Sequence, residues 1–220
     1  MIHYPGTNRL FVWLLALFPG VAPKAQIAIE VEKTNVMVAG LENPITVVSS
    51  DVPDSCLLLQ TNAGKVYKRE KGHYYWSIGV DSLIRKITII VLDTCSGQVL
   101  AEKHYRMREI PVEILLGARH RSKQMGNGEF KAQYGLAAVV AGYDINATCE
   151  MAGFTAQFYS KKTGEVWTGY NTGSRFEGEV LKKQQAVLPG DQIVFKDIRY
   201  RCPGMRRPRA SNTELVFEIK

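Results

Sequence analysis

Short apolar runs with period-two alternation follow one another along almost the whole chain, and each ends at a turn residue. In the segment from Val36 to Val52, VMVA and PITVV alternate on either side of Gly-Leu-Glu-Asn. Alternating side chains line the two faces of a β-strand, and Gly, Asn and Pro mark its ends. Because alternation continues on both flanks, we interpret Gly40–Pro44 as a corner between two strands rather than a ligand-binding loop.

The spacing of these runs predicts the fold class. Strand-like segments such as HYYWSIG and KITIIVLDT recur with Gly-containing turns between them, and the first half shows no sustained helical period. In the second half, Asn127–Gly135 favours one or two helical turns, and Leu188–Asp191 favours a tight turn at a hairpin corner. We expect an all-β protein of two tandem immunoglobulin-like β-sandwich domains, residues 27–110 and 111–220, divided near Pro111.

The first 26 residues differ from the rest. Arg9 precedes the short apolar run LFVWLLALF, and Pro19-Gly20 leads into a small-residue stretch that ends at Ala25. This layout predicts a cleavable signal peptide at residues 1–26, with an uncleaved anchor as the alternative. We therefore expect an exported protein, periplasmic or on the cell surface or secreted, with no stable membrane insertion after cleavage.

Export changes the interpretation of the four cysteines. An oxidising compartment favours disulfides, and the candidates are Cys56, Cys95, Cys149 and Cys202. Four cysteines allow three pairings, of which Cys56 with Cys95 and Cys149 with Cys202 keeps each bridge within one half. Four buried free thiols remain the alternative.

The basic excess lies in the second half, where residues 111–220 hold sixteen Lys and Arg against eleven Asp and Glu. Five of these basic residues, all arginines, lie in the stretch IRYRCPGMRRPRAS. Arg199 and Arg201 are two apart and would share one strand face, while Arg206, Arg207 and Arg209 follow in a loop. Arginine makes bidentate contacts with carboxylate or phosphate, so these five residues are candidates for binding a partner; a solvated surface is the alternative. Nucleic acid is not expected, since the aromatic interleaving of nucleic-acid-binding modules is missing.

The motifs of common active sites are missing from the sequence. The four histidines show no metal-ligand spacing, and there is no nucleophile elbow, phosphate loop or dinucleotide fingerprint. We expect neither an enzyme nor a cofactor or metal, although a triad assembled from distant residues is left open. In the aromatic run Tyr74-Tyr75-Trp76, alternation favours core packing of Tyr74 and Trp76 over a stacking platform for a ligand.

Three stretches in order carry a resemblance: NVMVAGLENPITV (35–47), YRMREIPVEILLG (105–117) and LPGDQIVFKDIRYRCPG (188–204). They resemble the C-terminal part of the GldM/PorM family, the periplasmic component of the gliding-motility and type 9 secretion machinery of Bacteroidetes. The resemblance implies two β-sandwich domains at the outer end of a dimeric periplasmic shaft that contacts a ring attached to the outer membrane.

What the resemblance implies for function is binding and force transmission without an active site. The sequence contains neither the membrane helix nor the earlier periplasmic domains of that family, so we expect a shortened relative with a signal peptide. The expected partners are envelope proteins such as secretion-ring components, bound through the basic second half; a homodimer is a further expectation. The alternative is a secreted or surface adhesin that binds glycan or host protein.

Overall fold

The computed structural model describes residues 27–31, 35–80, 84–142 and 145–220. The predicted signal peptide at residues 1–26 lies outside the described residues. The all-β fold class is confirmed, with strands throughout and two short helices among the described residues. Neither of these helices has the length and hydropathy needed to cross a membrane.

The first half, up to Ile110, forms two sheets around one hydrophobic core. Its strands are β1 (Ile27–Val31), β2 (Val36–Val38), β3 (Asn43–Ser49), β4 (Leu57–Thr61), β5 (Lys65–Glu70), β6 (His73–Ser77), β7 (Lys86–Asp93) and β8 (Gln98–Arg108). The sheets have the orders β1-β3-β6-β5 and β2-β8-β7-β4, and β2 runs parallel to β8. Tyr74 and Trp76 are buried between the sheets with Ile87 and Ile89, which confirms their predicted core packing.

The second half, from Pro111 onward, has one large sheet and a mixed second layer. Its elements are β9 (Val112–Leu116), β10 (Lys123–Met125), α1 (Asn127–Lys131), β11 (Leu136–Val140), β12 (Glu150–Tyr159), β13 (Val166–Thr172), α2 (Gly178–Ala186), β14 (Gln192–Arg201), β15 (Arg209–Ala210) and β16 (Leu215–Ile219). The large sheet has the order β10-β16-β14-β12-β13, with β15 paired to β14. The pair β9–β11 and both helices contribute residues to the core beneath it.

The helices differ in how far the sequence predicts them. Helix α1 lies within the predicted stretch, and Phe130 on it is fully buried against Phe195 and Phe217. Helix α2 is missing from the prediction, because it buries only Val180 and Gln184 and has no broad apolar stripe. Gln184 holds the helix in place by donating to three backbone carbonyls of residues 130–133.

The turn Leu188–Asp191 forms as predicted, but it is not a hairpin corner. The backbone N–H of Asp191 donates to the carbonyl of Leu188 over 3.1 Å, and Gly190 has a φ of 94°. The turn joins α2 to β14 rather than two paired strands. The hairpin interpretation is therefore wrong, because the element before the turn is helix α2 and not a strand.

A bulge in β14 determines where its arginines lie. Phe195 is buried, and strict alternation would bury Arg199 as well. Instead, β14 has one extra residue relative to β12, at Asp197, whose φ is 50°. Ile198 consequently takes the buried position, and Arg199 and Arg201 both lie on the exposed face. They share a face as predicted, but only because of the bulge.

The structure pairs Cys56 with Cys95 and Cys149 with Cys202, one of the three pairings that the sequence allows. The first bridge joins the 3-10 turn Asp54–Cys56 to the turn after β7. The second joins the start of β12 to the end of β14 and lies in a third apolar cluster with Ile110. That cluster contains residues from both halves, including Val38 and Met205. The division into two domains near residue 110 stays a prediction.

Candidate binding site at the junction of the two halves

The predicted corner Gly40–Pro44 passes from one sheet of the first half to the other. It follows β2 in one sheet and leads into β3 in the other, and Gly40 takes a φ of 86° that favours glycine. Asn43, which is 6% exposed, holds it closed. The Val38 N–H donates to its Oδ1 over 2.7 Å, and its Nδ2 donates to the carbonyls of Val38, Leu41 and Trp76. The corner is confirmed, and its shape depends on this one amide.

The same corner contacts a loop of the second half, Cys202–Pro208, which we call the basic loop. A Cβ on Gly40 would overlap the carbonyl oxygen of Pro203, and a Cβ on Gly204 would overlap the Cα of Gly40. The two backbones therefore meet directly, with no room for a side chain between them.

The basic loop is anchored at two points. Cys202 is buried in the bridge to Cys149, and its N–H donates to the Sδ of Met205 over 3.3 Å. The Met205 side chain is half-buried against the first-half core and against the third cluster. The two arginines that follow, Arg206 and Arg207, are exposed. A fixed loop thus presents them next to the corner.

An ion-pair group ties the halves together beside this contact. Arg209, in β15, donates to the carboxylate of Glu109 at the end of the first half. Arg85 lies 4.0 Å from the same carboxylate. Both partners of the Arg209–Glu109 pair are half-exposed, so screening by solvent reduces its contribution to stability. Its main effect is to hold β15 against the junction.

A cleft with a volume of about 560 Å³ opens between the corner and the loop that follows β11. Its apolar lining comes from both halves: Val36, Val38, Leu41, Pro44, Pro111 and Ile145. A cleft of this size between two packed units lies within the range of binding sites.

The charged groups around the cleft differ in whether they are paired. The Glu42 carboxylate accepts from the Tyr67 hydroxyl, which raises the pKa of Tyr67, and it pairs with Arg69 over 3.1 Å. Glu109 is held by Arg209. Arg108 is exposed and has no ion-pair partner among the described residues. Of the cleft's described charged residues, Arg108 is therefore the one without an ion-pair partner, and it lies beside an apolar wall.

The five predicted partner-binding arginines differ in whether they form ion pairs within the protein. Arg201 pairs with Glu150 over 2.9 Å, and Arg209 pairs with Glu109. Arg199, Arg206 and Arg207 are exposed, and none of them has an ion-pair partner among the described residues. The structure thus leaves Arg206 and Arg207 as the adjacent pair that is free for an outside carboxylate, with Arg199 on the neighbouring sheet face.

Metal-ligand chemistry is limited in the described part of the chain. The group Cys56, Asp93 and Cys95 comes together there, but both sulfurs are in the disulfide. The Asp93 carboxylate accepts from the Ser96 hydroxyl and from the backbone N–H of Cys95, and these bonds hold the pKa of Asp93 below its ordinary value. These contacts account for the group as a capped turn.

Sequence reasoning missed the cleft and the amide of Asn43. The cleft combines residues more than 100 positions apart, from Val36 to Ile145, so no local pattern reveals it. The Asn-Pro step at the start of β3 is a usable signal, because asparagine there can bond to nearby backbone groups. Arg108 had no distinguishing pattern, since it simply ends an alternating strand.

The comparison with solved structures finds β proteins with low similarity. Three N-terminal domains of the bacteriophage RB49 Highly Immunogenic Outer Capsid protein share 10% identity (TM-score 0.37; 89% of this chain and 59% of that one). The Yersinia pseudotuberculosis adhesin InvE shares 12% (TM-score 0.30; 88% and 58%). SGBP-B of the Bacteroides ovatus mixed-linkage glucan utilization locus, in complex with a mixed-linkage heptasaccharide, shares 11% (TM-score 0.27; 70% and 45%). The chain spans less than two thirds of each, and such low TM-scores assign no function.

No curated protein matches the chain. A family model does: the GldM C-terminal domain matches residues 109–220. The match covers β9 to β16, the basic loop and the second disulfide, and it begins at Glu109, whose carboxylate holds Arg209. Since it covers just over half of the chain, the protein belongs to the GldM C-terminal domain family.

Proposed function

We propose that this protein is a non-catalytic interaction module of the cell envelope, related to the gliding-motility and type 9 secretion shaft. It binds an envelope protein through its basic second half, at the junction with the first. The observation that carries the proposal is the anchored basic loop, which presents Arg206 and Arg207 without internal ion-pair partners among the described residues. The family membership of residues 109–220 supports the envelope setting.

The chemistry of the loop favours an acidic protein surface as the partner. Guanidinium groups bind carboxylates in a planar, bidentate way and lose little hydration when they do so. The disulfide and Met205 fix the loop in the free protein, so ordering it on binding costs little entropy. The apolar cleft beside Arg108 offers a second contact for the same partner. Secretion-ring components and a second copy of this chain are the partners proposed.

The proposal assigns the cleft to binding rather than catalysis. The two carboxylates among its described lining residues, Glu42 and Glu109, are each ion-paired with an arginine of the protein, and the proposal gives neither of them a catalytic role. The two disulfides fit an oxidising compartment outside the cytoplasm. The periplasm is the proposed location, with the cell surface as its alternative.

The experiment is affinity capture of the tagged mature protein from its own host, followed by mass spectrometry. The test variant is Arg206→Glu with Arg207→Glu. The control is Lys86→Glu with Arg106→Glu, a cross-strand pair of exposed cations on the first half that undergoes the same change in charge. We expect an envelope protein to be recovered with the wild type and the control, and its affinity to fall by about tenfold or more with the test variant. Equal recovery with both variants would refute a role for the basic loop.

A second candidate function, glycan binding by an adhesin, has one observation in its favour. Tyr67 and Tyr75 stack on the outer face of the first sheet with ring centroids 5.9 Å apart, and Arg69 lies 4.5 Å from the Tyr75 centroid. Aromatic rings flanked by polar groups suit sugar rings. A glycan array probed with the wild type and with Tyr75→Ala tests it. Glycan binding that is lost with Tyr75→Ala would support an adhesin function, and an array with no bound glycan would exclude it.

A further inference from the structure

Strand β13 is an edge of the large sheet, with β12 on one side only. Its seven residues, VWTGYNT, contain no charged residue and no proline. An edge strand presents unpaired N–H and C=O groups, and proteins usually protect such an edge with charge, proline or short length. Strand β13 has none of these protections.

The hydrogen bonds at both ends of β13 show which backbone groups face outward. At one end, the Glu165 carbonyl accepts from Ser160; at the other, the Gly173 N–H donates to Ala152. In an antiparallel pair, every second residue directs both its N–H and its C=O to the partner strand. The odd-numbered residues of β13 therefore bond to β12.

The even-numbered residues consequently direct their backbone groups away from the sheet. For Val166, Thr168 and Tyr170, neither the N–H nor the C=O has a hydrogen-bond partner among the described residues. Their side chains are exposed as well, with Val166 at 55% and Tyr170 at 60%. Three successive residues whose N–H and C=O groups both face outward can form the hydrogen bonds that add a short strand to the sheet.

Several other edges of the described sheets are protected. Strands β2 and β10 are three residues long, and β1 contains Glu30. Strand β5 is dominated by charged residues: Lys65, Lys68, Arg69 and Glu70. At β4, the Tyr74 hydroxyl donates to the outward carbonyl of Leu57 over 3.1 Å. Strands β4 and β11 also have neither charge nor proline, but β13 is the longest described edge strand without them.

The charged residues around β13 determine which kind of incoming strand this edge favours. Four cations lie at its ends or over its inner face, and none forms an ion pair with a described residue: Lys161, Lys162, Arg175 and Lys183. The Lys183 Nζ lies 5.8 Å from the ring centroid of Trp167, so this cation lies over the inner face of β13. The acids nearby are Glu165, Glu177 and Asp191, and the Asp191 carboxylate accepts from the backbone N–H groups of Lys161 and Leu188. The surroundings favour an incoming strand with acidic flanks.

We propose that β13 binds an extended segment of another protein by strand addition, and that this segment has a β-branched centre and acidic ends. Backbone bonds to residues 166–170 supply the affinity, and the cations set the choice of partner. This inference rests on the proposed function, because it takes the binding partner to be a protein. It names a surface distinct from the basic loop.

The test uses the full mature protein and two synthetic peptides with the same Thr-Val centre, one flanked by Asp and Glu and the other by Lys. Thr168→Pro removes an outward N–H and no internal hydrogen bond, so the fold tolerates it, whereas Thr168→Ala keeps the N–H. Val166→Lys with Tyr170→Lys is a second variant that blocks the edge without proline.

We expect the acidic peptide to bind the wild type and Thr168→Ala, and to slow amide hydrogen exchange at Val166, Thr168 and Tyr170. Binding should fall by about tenfold or more with Thr168→Pro and with the double Lys variant, and the Lys-flanked peptide should bind more weakly by a similar factor. Absence of binding by both peptides, or binding that Thr168→Pro leaves unchanged, would overturn the proposal.

Two further outcomes identify a different occupant or separate the two proposals. A concentration-dependent dimer that Thr168→Pro abolishes would make the occupant a second copy and overturn the acidic-partner assignment. In capture from the host, loss of the partner only with Arg206→Glu/Arg207→Glu supports the proposed function and refutes this inference. Loss of the partner only with Thr168→Pro would support this inference and refute a role for the basic loop.

Discussion

At the scale of single residues, two buried polar groups of the first half have opposite roles. Asn43 satisfies four backbone groups, two of Val38 in β2, one of Leu41 in the corner and one of Trp76 in β6. Tyr105, in β8, is 1% exposed, and its hydroxyl has no hydrogen-bond partner among the described residues. One side chain stabilises the corner, while the other contributes its ring to the core and carries an uncompensated polar atom.

Asn43→Ala should destabilise the protein by about 2–4 kcal/mol, because it leaves several buried backbone groups without partners. Urea unfolding measures the change. Asn212→Ala is the control, since Asn212 is exposed and makes no side-chain hydrogen bond in the described structure; it should change stability by less than about 0.5 kcal/mol. A loss at Asn43 no larger than that of the control would contradict the role of its amide.

Tyr105→Phe should leave stability at pH 7 unchanged or raise it by about 1 kcal/mol, since it removes an unpaired buried hydroxyl. Burial also raises the pKa of Tyr105 to about 12, from an ordinary value of 10.0. The hydroxyl ionises first in the unfolded chain, so the stability of the wild type is unaffected by this group below pH 10 and falls as the pH rises toward 12. The variant should therefore gain up to about 2–3 kcal/mol over the wild type across that range.

The pH dependence is measured as the difference between two urea unfolding series, one for each protein, from pH 8 upward. The difference isolates Tyr105, because the other tyrosines and the lysines titrate in both proteins. A constant difference across the range would show that the Tyr105 hydroxyl is not buried in the folded state.

At the scale of elements, β-bulges rather than alternation determine which side chains face outward in the large sheet. The extra residue at Asp197 reverses the phase of β14, and a second shift between Met151 and Gly153 reverses that of β12. Gly153 lies beneath the hydroxyl of Tyr170, where a Cβ would overlap it. The exposed positions of Arg199 and Arg201 follow from these bulges.

Two substitutions at Asp197 test the bulge. Asp197→Gly should be neutral or stabilising by up to about 1 kcal/mol, because glycine accepts a φ of 50° without steric cost. Asp197→Val should destabilise by about 1–3 kcal/mol, since a β-branched residue is strained there. Thermal unfolding compares the two variants. Equal stability of Gly and Val at this position would argue against the left-handed conformation.

At the scale of the whole molecule, the two halves are joined by backbone contact, a buried apolar cluster and an ion pair. The Gly40–Gly204 contact, the cluster around Ile110 and the Arg209–Glu109 pair all lie at the same junction. A module that transmits force or presents a fixed binding surface benefits from such a connection. The contact between Gly40 and Gly204 is its narrowest point.

Gly204→Ala and Gly173→Ala form a matched pair. The two glycines have φ values of 77° and 73°, but a Cβ on Gly204 would overlap the backbone of Gly40, whereas Gly173 has open space around it. Both variants incur the same backbone strain of about 1–2 kcal/mol, and Gly204→Ala should cost about 1–3 kcal/mol more from overpacking. Differential scanning calorimetry measures both. Equal losses would show that the halves do not touch at this point.

Much of the molecule is predictable from the sequence because the signals are local. Alternation predicts the strands, the Gly40–Pro44 corner and the core positions of Tyr74 and Trp76, and turn residues predict Leu188–Asp191. The order and spacing of residues in three stretches are enough to indicate the GldM family. Helix α2 escapes prediction, because its position depends on Gln184 and three distant carbonyls rather than on an apolar stripe.

Fold class, family and the set of basic residues are encoded in local pattern or composition, so the amino-acid sequence alone specifies them. Which arginines are free depends on tertiary contacts instead. Arg201 and Arg209 find carboxylates far away in the chain, and the bulge at Asp197 turns Arg199 outward. The junction cleft and the open edge of β13 likewise exist only after folding. Both depend on which segments become neighbours and which backbone groups are left unpaired, and no local pattern specifies either.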